Sequence, residues 1–502
     1  MGSGVSEKSV GRSLYEAVLY GMSRPVLALK GMAIIPLLTK TLGLADYGVW
    51  VLLTTTGALL IELIILRFPS AVLRLLPGSG REQLGRVYGT LLAVTAVTTV
   101  VVSVPLAIAA ESMGRWLLQR SGAGVYLYLL VALMASEAWW LLLCTYFRVI
   151  GQNMRHIGAE LGFQVADLAA MAIAIVAGAG LIGVLMAGVV VRGVATLLLA
   201  VVVQRGEGFR MPSAPIAAEY LSYCLPLVAP ELISWVLSFG NRYFLAMYCG
   251  NEMVGIFGMA HKLAFAVLMI SGALEFAFLT EVARLWNAGE TVRATARWRR
   301  VARLFIGAAV PLAGLLSLLS PYLLTILATP EVGMAAWRIV PWVAGAGIAY
   351  GLYGYAISCY LFARRTAVLL QVMGAASVVN LVLNALLVPR AGAVGAAVAM
   401  LVSYVGLMGL ASWRARRDFG FPMEWSMLLK ALAAVGVMAV PFWIIAPRGM
   451  VENGAAALLG VLGYGVAFWW LRGMMPEERA LLRELWMQGV RRVGVSFAGV
   501  VR

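Results

Sequence analysis

Charge is scarce in this 502-residue chain. Only 12% of its residues are Asp, Glu, Lys or Arg, about half the ~25% carried by soluble globular domains. Set against 62% hydrophobic residues and a mean hydropathy of +0.90, that scarcity excludes an ordinary water-soluble protein. It excludes disorder as well, because apolar surface is ample. Cysteine and histidine are nearly missing too. Cys144, Cys224, Cys249 and Cys359 show no metal-ligand spacing. Cys224 and Cys249 bracket one expected helix, too far apart at ~1.5 Å per residue for a disulfide. All four read as membrane-buried thiols. His156 falls in an expected cytoplasmic turn and His261 beside Lys262, where it reads as a polar helix-end residue; neither joins a ligand set. There is no phosphate-cradling glycine loop and no zinc-protease pattern. No outward loop offers the acidic platform of a lipid-dependent glycosyltransferase or ligase. The sequence therefore points away from an enzyme, and no cofactor or metal is expected. The first apolar run carries Arg24 and Lys30, unlike a cleavable signal peptide.

Long apolar runs are what the chain has instead. They fall at roughly 14–40, 47–69, 87–110, 125–149, 158–180, 182–204 and 221–247. Seven more follow at roughly 253–280, 301–325, 337–363, 367–389, 393–413, 427–447 and 454–472. Each is long enough to cross ~30 Å of hydrocarbon, some with tilt. The fold class expected is thus an all-α polytopic membrane protein of about 14 transmembrane helices. With the N-terminus inside, 28 of the 39 Lys and Arg lie on the cytoplasmic side, six on the other and five within spans. That asymmetry places both termini in the cytoplasm. It also accounts for the net charge of +16 without nucleic acid as a partner.

Two halves are related. Leu42-Gly43-Leu44-Ala45-Asp46-Tyr47-Gly48 after the first span matches Cys249-Gly250-Asn251-Glu252-Met253-Val254-Gly255 after the seventh, at an offset of 207. Gly180 and Gly183 match Gly392 and Gly395 at 212, and Tyr146 matches Tyr360 at 214. Six spans per half make the repeat parallel, which predicts two six-helix lobes, a pseudo-twofold along the membrane normal and a cavity between them. The expected lobes are 1–210 and 211–420, joined by a linker containing Pro212 and Pro215. Residues 421–502 hold two further helices and a basic amphipathic tail beyond Pro476, suited to the anionic inner surface. Pro25, Pro226 and Pro230 predict local breaks in helices one and seven. Most tryptophans suit interface belts.

Ionisable groups at membrane depth are costly and mark a cavity or a partner. Arg24 and Lys30 lie on helix one, Arg242 on helix seven and Lys262 on helix eight. These repeat-related helices would flank the cleft, and four cations there predict an anionic, phosphate-bearing cargo. Snorkelling to an interface is the alternative for Arg24, Arg242 and Lys262. Glu62, Glu231 and Glu275 are candidates for coupling H+ or Na+. Asp167 and Arg192 flank one tight turn and read as a structural ion pair.

Pro36-Leu37-Leu38-Thr39-Lys40-Thr41-Leu42-Gly43 with Asp46-Tyr47-Gly48 resembles the first-helix signature of the polysaccharide transport family. That family lies in the multidrug/oligosaccharidyl-lipid/polysaccharide exporter superfamily and includes Wzx-type O-antigen flippases. Asn241-Arg242-Tyr243 with Gly250, Glu252 and Val254-Gly255 resembles its Asp-Arg element, with Asn241 replacing the usual acid. Asn380-Leu381-Val382-Leu383-Asn384, Pro389, Gly392 and Gly395-Ala396-Ala397 resemble its helix eleven–twelve signature. The resemblance covers roughly 14–413. It implies a V-shaped two-lobed flippase of a bacterial or archaeal cytoplasmic (inner) membrane. Its cargo would be a polyprenyl-diphosphate-linked oligosaccharide for surface polysaccharide synthesis, moved by alternating access, with a polysaccharide polymerase and glycosyltransferases as partners. Arg24, Lys30, Arg242 and Lys262 would hold the diphosphate. A lipid II flippase and a cation-coupled multidrug or metabolite antiporter remain alternatives, although an acidic cavity would suit the antiporter better.

Overall fold

A computed structural model describes residues 30–76, 78, 80–120 and 122–474. Arg24, Pro25 and the amphipathic tail lie outside them. The described residues are helical throughout, with no strand among them. In chain order, α1 covers 30–41, α2 Leu44–Ile65, α3 Phe68–Leu75, α4 Arg81–Ile108, α5 Ala110–Leu118 and α6 Gly124–Val149. Next come α7 Asn153–Val176, α8 Gly180–Glu207, α9 Ala214–Phe239, α10 Asn241–Cys249, α11 Asn251–Ala264 and α12 Leu268–Asn287. The chain closes with α13 Thr291–Leu327, α14 Pro330–Ala336, α15 Val340–Phe362, α16 Ala367–Phe419, α17 Trp425–Ile445 and α18 Met450–Trp470.

Among the described residues, eleven helices, or twelve with the bent α14–α15 pair, are long and apolar enough to cross a membrane. The 53-residue α16 is two spans back to back, because Gly392 leaves helical geometry (φ 54, ψ −132). Asn380 Nδ2 donates to Ser403 Oγ at 3.3 Å, which brings the two arms side by side. Asn384 Nδ2 in turn bonds the carbonyl of Asn380 at 2.8 Å, so these buried amides pin the hairpin. The chain is an all-α multi-pass membrane protein of about 14 spans: two parallel six-helix lobes forming a V-shaped cleft, plus two C-terminal helices. Those last helices, α17 and α18, pack on α13. Buried Arg303 of α13 meets Glu424 at 2.6 Å just before α17, an anchor between them.

The repeat has a physical counterpart at the lobe seam. Gly43 (φ 89, ψ 172) and Gly250 (φ 82, ψ 172) turn the chain identically before α2 and α11. A Cβ on Gly48 would fall 1.8 Å from the carbonyl oxygen of Asn251, and one on Gly255 would fall 3.0 Å from that of Leu44. Leu44 and Asn251 are repeat mates, as are Gly48 and Gly255, so each lobe contacts the other through the same two positions. Such reciprocity is what a twofold interface requires. At the far end of the lobes a second likeness appears. Tyr146 donates to Glu207 at 2.9 Å, and Tyr360 donates to Asp418 at 2.7 Å, each tying its lobe's fourth span to its sixth.

The breaks differ from expectation. Helix α9 runs through Pro226 and Pro230 and gives way only after Phe239, at Gly240. The eighth span is interrupted by a 3-10 turn at Phe265–Val267. After α2, Leu66 (φ 47) and Arg67 (φ 62) adopt left-handed geometry in succession, sending α3 off in a new direction. The four cysteines are free; Cys249 alone is only partly buried.

Candidate functional site: a cation pair at the lobe seam

The lobe backbones meet at the end bearing the Gly43 and Gly250 turns. Gln119 Nε2 also donates to the Ala246 carbonyl there at 2.8 Å, and Asn251 Nδ2 to that of Leu118 at 2.7 Å. Opposite, long side chains bridge the gap. Arg67 reaches Glu231 of α9 at 3.2 Å, and Arg74 of α3 donates to the Tyr223 hydroxyl at 3.1 Å.

Arg242 lies just past the Gly240 break, ~12 Å along the helix from the Gly250 turn. It is buried, its guanidinium 4.7 Å from the Phe239 ring, and it donates to Thr55 Oγ1 on α2. Lys262 of α11 has its Nζ 5.8 Å from the centre of the Tyr47 ring and 3.5 Å from the Gly31 carbonyl oxygen. The side chain is exposed between the lobes. No carboxylate among the described residues lies within ion-pair distance of either cation. Between them lies His261, buried and stacked on Phe265 at 4.1 Å. Tyr47 Oη, Arg242 Nε and His261 Nε2 are all buried without a hydrogen-bond partner among the described residues. Buried polar atoms are nearly always satisfied. Tyr47 Oη and His261 Nε2 thus accompany Arg242 Nε as unsatisfied atoms at two cations with no counterion among the described residues.

Lys30 is different. Its Nζ is 2.6 Å from Asp167 Oδ2 and 2.6 Å from Gln164 Oε1. Asp167 also binds Arg192 at 2.8 Å, and Arg192 binds Glu137 at 2.6 Å. Two cations and two carboxylates balance within one lobe, so Lys30 is not the uncompensated cation that its depth suggested. The Asp167–Arg192 pair is present but belongs to this larger network. Glu62 and Glu231, separated by 169 positions, share Arg67 at 3.7 and 3.2 Å. Glu275 accepts a hydrogen bond from Ser271 at 3.0 Å. His261 does lie in the last turn of α11, and there it is buried beside both cations. Sequence reasoning also missed the parts played by Thr55, Tyr47 and Arg67. Only the 207-residue repeat offered a signal, because it superposes Thr55 on Lys262.

No protein-family model matches the chain, and no curated protein matches it in sequence. Solved structures do match in fold. A lipid II flippase, MurJ, in an inward closed conformation superposes with a TM-score of 0.71 at 11% identity, over 90% of this chain and 98% of that one. An inward-facing multidrug resistance MATE family transporter of the MOP superfamily gives 0.65 at 14%, over 80% and 98%. A point mutant of the Vibrio cholerae MATE transporter VcmN gives 0.56 at 16%, over 82% and 97%. The chain has the fold of these membrane transporters.

Proposed function

We propose that the protein is a flippase of the exporter superfamily, carrying a polyprenyl-diphosphate-linked oligosaccharide across a bacterial or archaeal cytoplasmic membrane by alternating access. The observation that carries this reading is the carboxylate-free pair Arg242 and Lys262 at the lobe seam, ringed by unsatisfied polar atoms. Guanidinium and ammonium groups without counterions are expensive at membrane depth. A diphosphate would supply the missing charge through charge-assisted hydrogen bonds. The lobes would extend over 1–210 and 211–420, with the Gly43 and Gly250 turns outside and the basic loops and both termini inside. Arg24 would extend the cation set on helix one. Lys30, by contrast, would support the lobe through Asp167. Ion coupling is assigned to Glu62 and Glu231, which share one guanidinium, and to Glu275. Nothing in this reading requires a chemical step.

Proteoliposomes supplied with a polyprenyl-diphosphate-linked glycan test the reading. Arg242→Ala and Lys262→Ala should each slow translocation tenfold or more, while undiminished transport would remove the cation pair from the mechanism. A lipid II flippase is the second reading, favoured by the superposition on MurJ. Rescue of a cell deprived of lipid II flipping separates the two cargoes.

A further inference from the structure

Some donors around the cation site are already engaged across the lobe seam. Two adjacent residues of α2 hold three of them. Arg242 donates to Thr55 Oγ1, Trp235 Nε1 donates to the Thr55 carbonyl oxygen at 3.0 Å, and the Tyr243 hydroxyl lies 2.8 Å from Thr56 Oγ1. Helix α2 belongs to one lobe and α9–α10 to the other, so all three bonds must break for the lobes to part along this seam. The repeat places a fourth contact in the equivalent position. Shifting Thr55 by 207 gives Lys262, whose Nζ reaches across to the Gly31 carbonyl of α1 at 3.5 Å. On the α1–α2 side every described partner of these cations is neutral.

A hydroxyl is a weak ligand for a buried guanidinium. It leaves Arg242 Nε unbonded and the charge uncompensated. A phosphate oxygen brings the negative charge that a hydroxyl lacks, and a phosphate can meet a guanidinium through two parallel N–H···O bonds. A phosphate oxygen would therefore displace Thr55, and in doing so would undo a bond that keeps the lobes together.

We infer that Thr55 and Thr56 act as an internal ligand, occupying the site's donors in the closed state and giving them up to an anionic headgroup. Cargo binding and opening of the seam are then one exchange. The inference rests on the anionic-cargo reading above. A ligand shifts a conformational equilibrium only by its preference for one state, and displacement of Thr55 supplies that preference.

The test uses the full chain in nanodiscs, with farnesyl diphosphate as the probe and farnesol as the uncharged control. Spin labels at exposed Leu75 of α3 and Leu225 of α9 report lobe separation. The double variant Thr55→Val with Thr56→Val keeps the side-chain shapes and the carbonyl that Trp235 uses. It should bind the probe tenfold or more tightly than the wild type, and its lobes should stand apart before the probe is added. Thr55→Ser keeps the hydroxyl and should retain wild-type affinity. A valine variant that binds no better and keeps the wild-type separation would overturn the inference, as would equal tightening by Thr55→Ser. If wild type and variants alike fail to distinguish the probe from farnesol, the anionic-cargo reading falls and takes the internal ligand with it. Binding that is genuine but indifferent to the valines removes the internal ligand alone.

Discussion

Two groups of charge at membrane depth, one in each lobe, are built on opposite principles. In the first lobe Lys30, Asp167, Arg192 and Glu137 neutralise one another through contacts of 2.6 to 2.8 Å. In the second, among the described residues, Arg242 and Lys262 meet hydroxyl and carbonyl oxygens and aromatic faces but no carboxylate. A balanced network holds helices in place, and breaking it leaves an orphan charge. An unbalanced pair adds little net stability, because its contacts across the seam are offset by uncompensated charge, and it must be tolerated for another reason. Depth in the membrane therefore does not tell a functional charge from a structural one; the presence of a counterion does.

That contrast can be broken experimentally. The largest effect expected is from Asp167→Ala, which strands Lys30 without a carboxylate and leaves Arg192 with Glu137 alone. It should cost about 3–5 kcal/mol, read as a lowered melting temperature of the purified protein. Arg242→Met in the same assay should leave the melting temperature unchanged or raised. Equal losses in both variants would erase the distinction. Next comes the seam itself. Gly48→Ala drives a Cβ into the Asn251 carbonyl, whereas its repeat mate Gly255→Ala approaches Leu44 only to 3.0 Å. The first should cost about 1–3 kcal/mol as overpacking does and separate the lobes in spin-label distances; the second should do less on both measures. The smallest effect lies at the far end of the repeat. Tyr146→Phe should cost about 1 kcal/mol by loss of its bond to part-buried Glu207. Tyr360→Phe should cost less in chemical unfolding, because Asp418 is exposed to solvent.

Much of the fold was readable because long hydrophobic runs are local signals. The glycine pairs were readable for a different reason: two turns with the same backbone geometry need the same residues, and Gly43 and Gly250 adopt φ values that other residues avoid. Asp167 with Arg192 was legible because one tight turn joins their helices. Lys30 was misread because the carboxylate that neutralises it lies 137 positions away. The prolines of α9 misled as well, since the tightest constraint on that span falls at Gly240. Arg67 carried no local sign of its role, because only its left-handed backbone turns it toward Glu62 and Glu231.

Apolar length and repeated turn residues act where they stand, so the order of amino acids alone set the solvent this chain folds in, the number of its crossings and its duplication. Which cations are compensated, and that Thr55 and Thr56 take the donors of Arg242, Trp235 and Tyr243, depended on how the two lobes come together. Electrostatic compensation depends on distance through space, and the chain carries no local mark of which carboxylate a buried cation will meet.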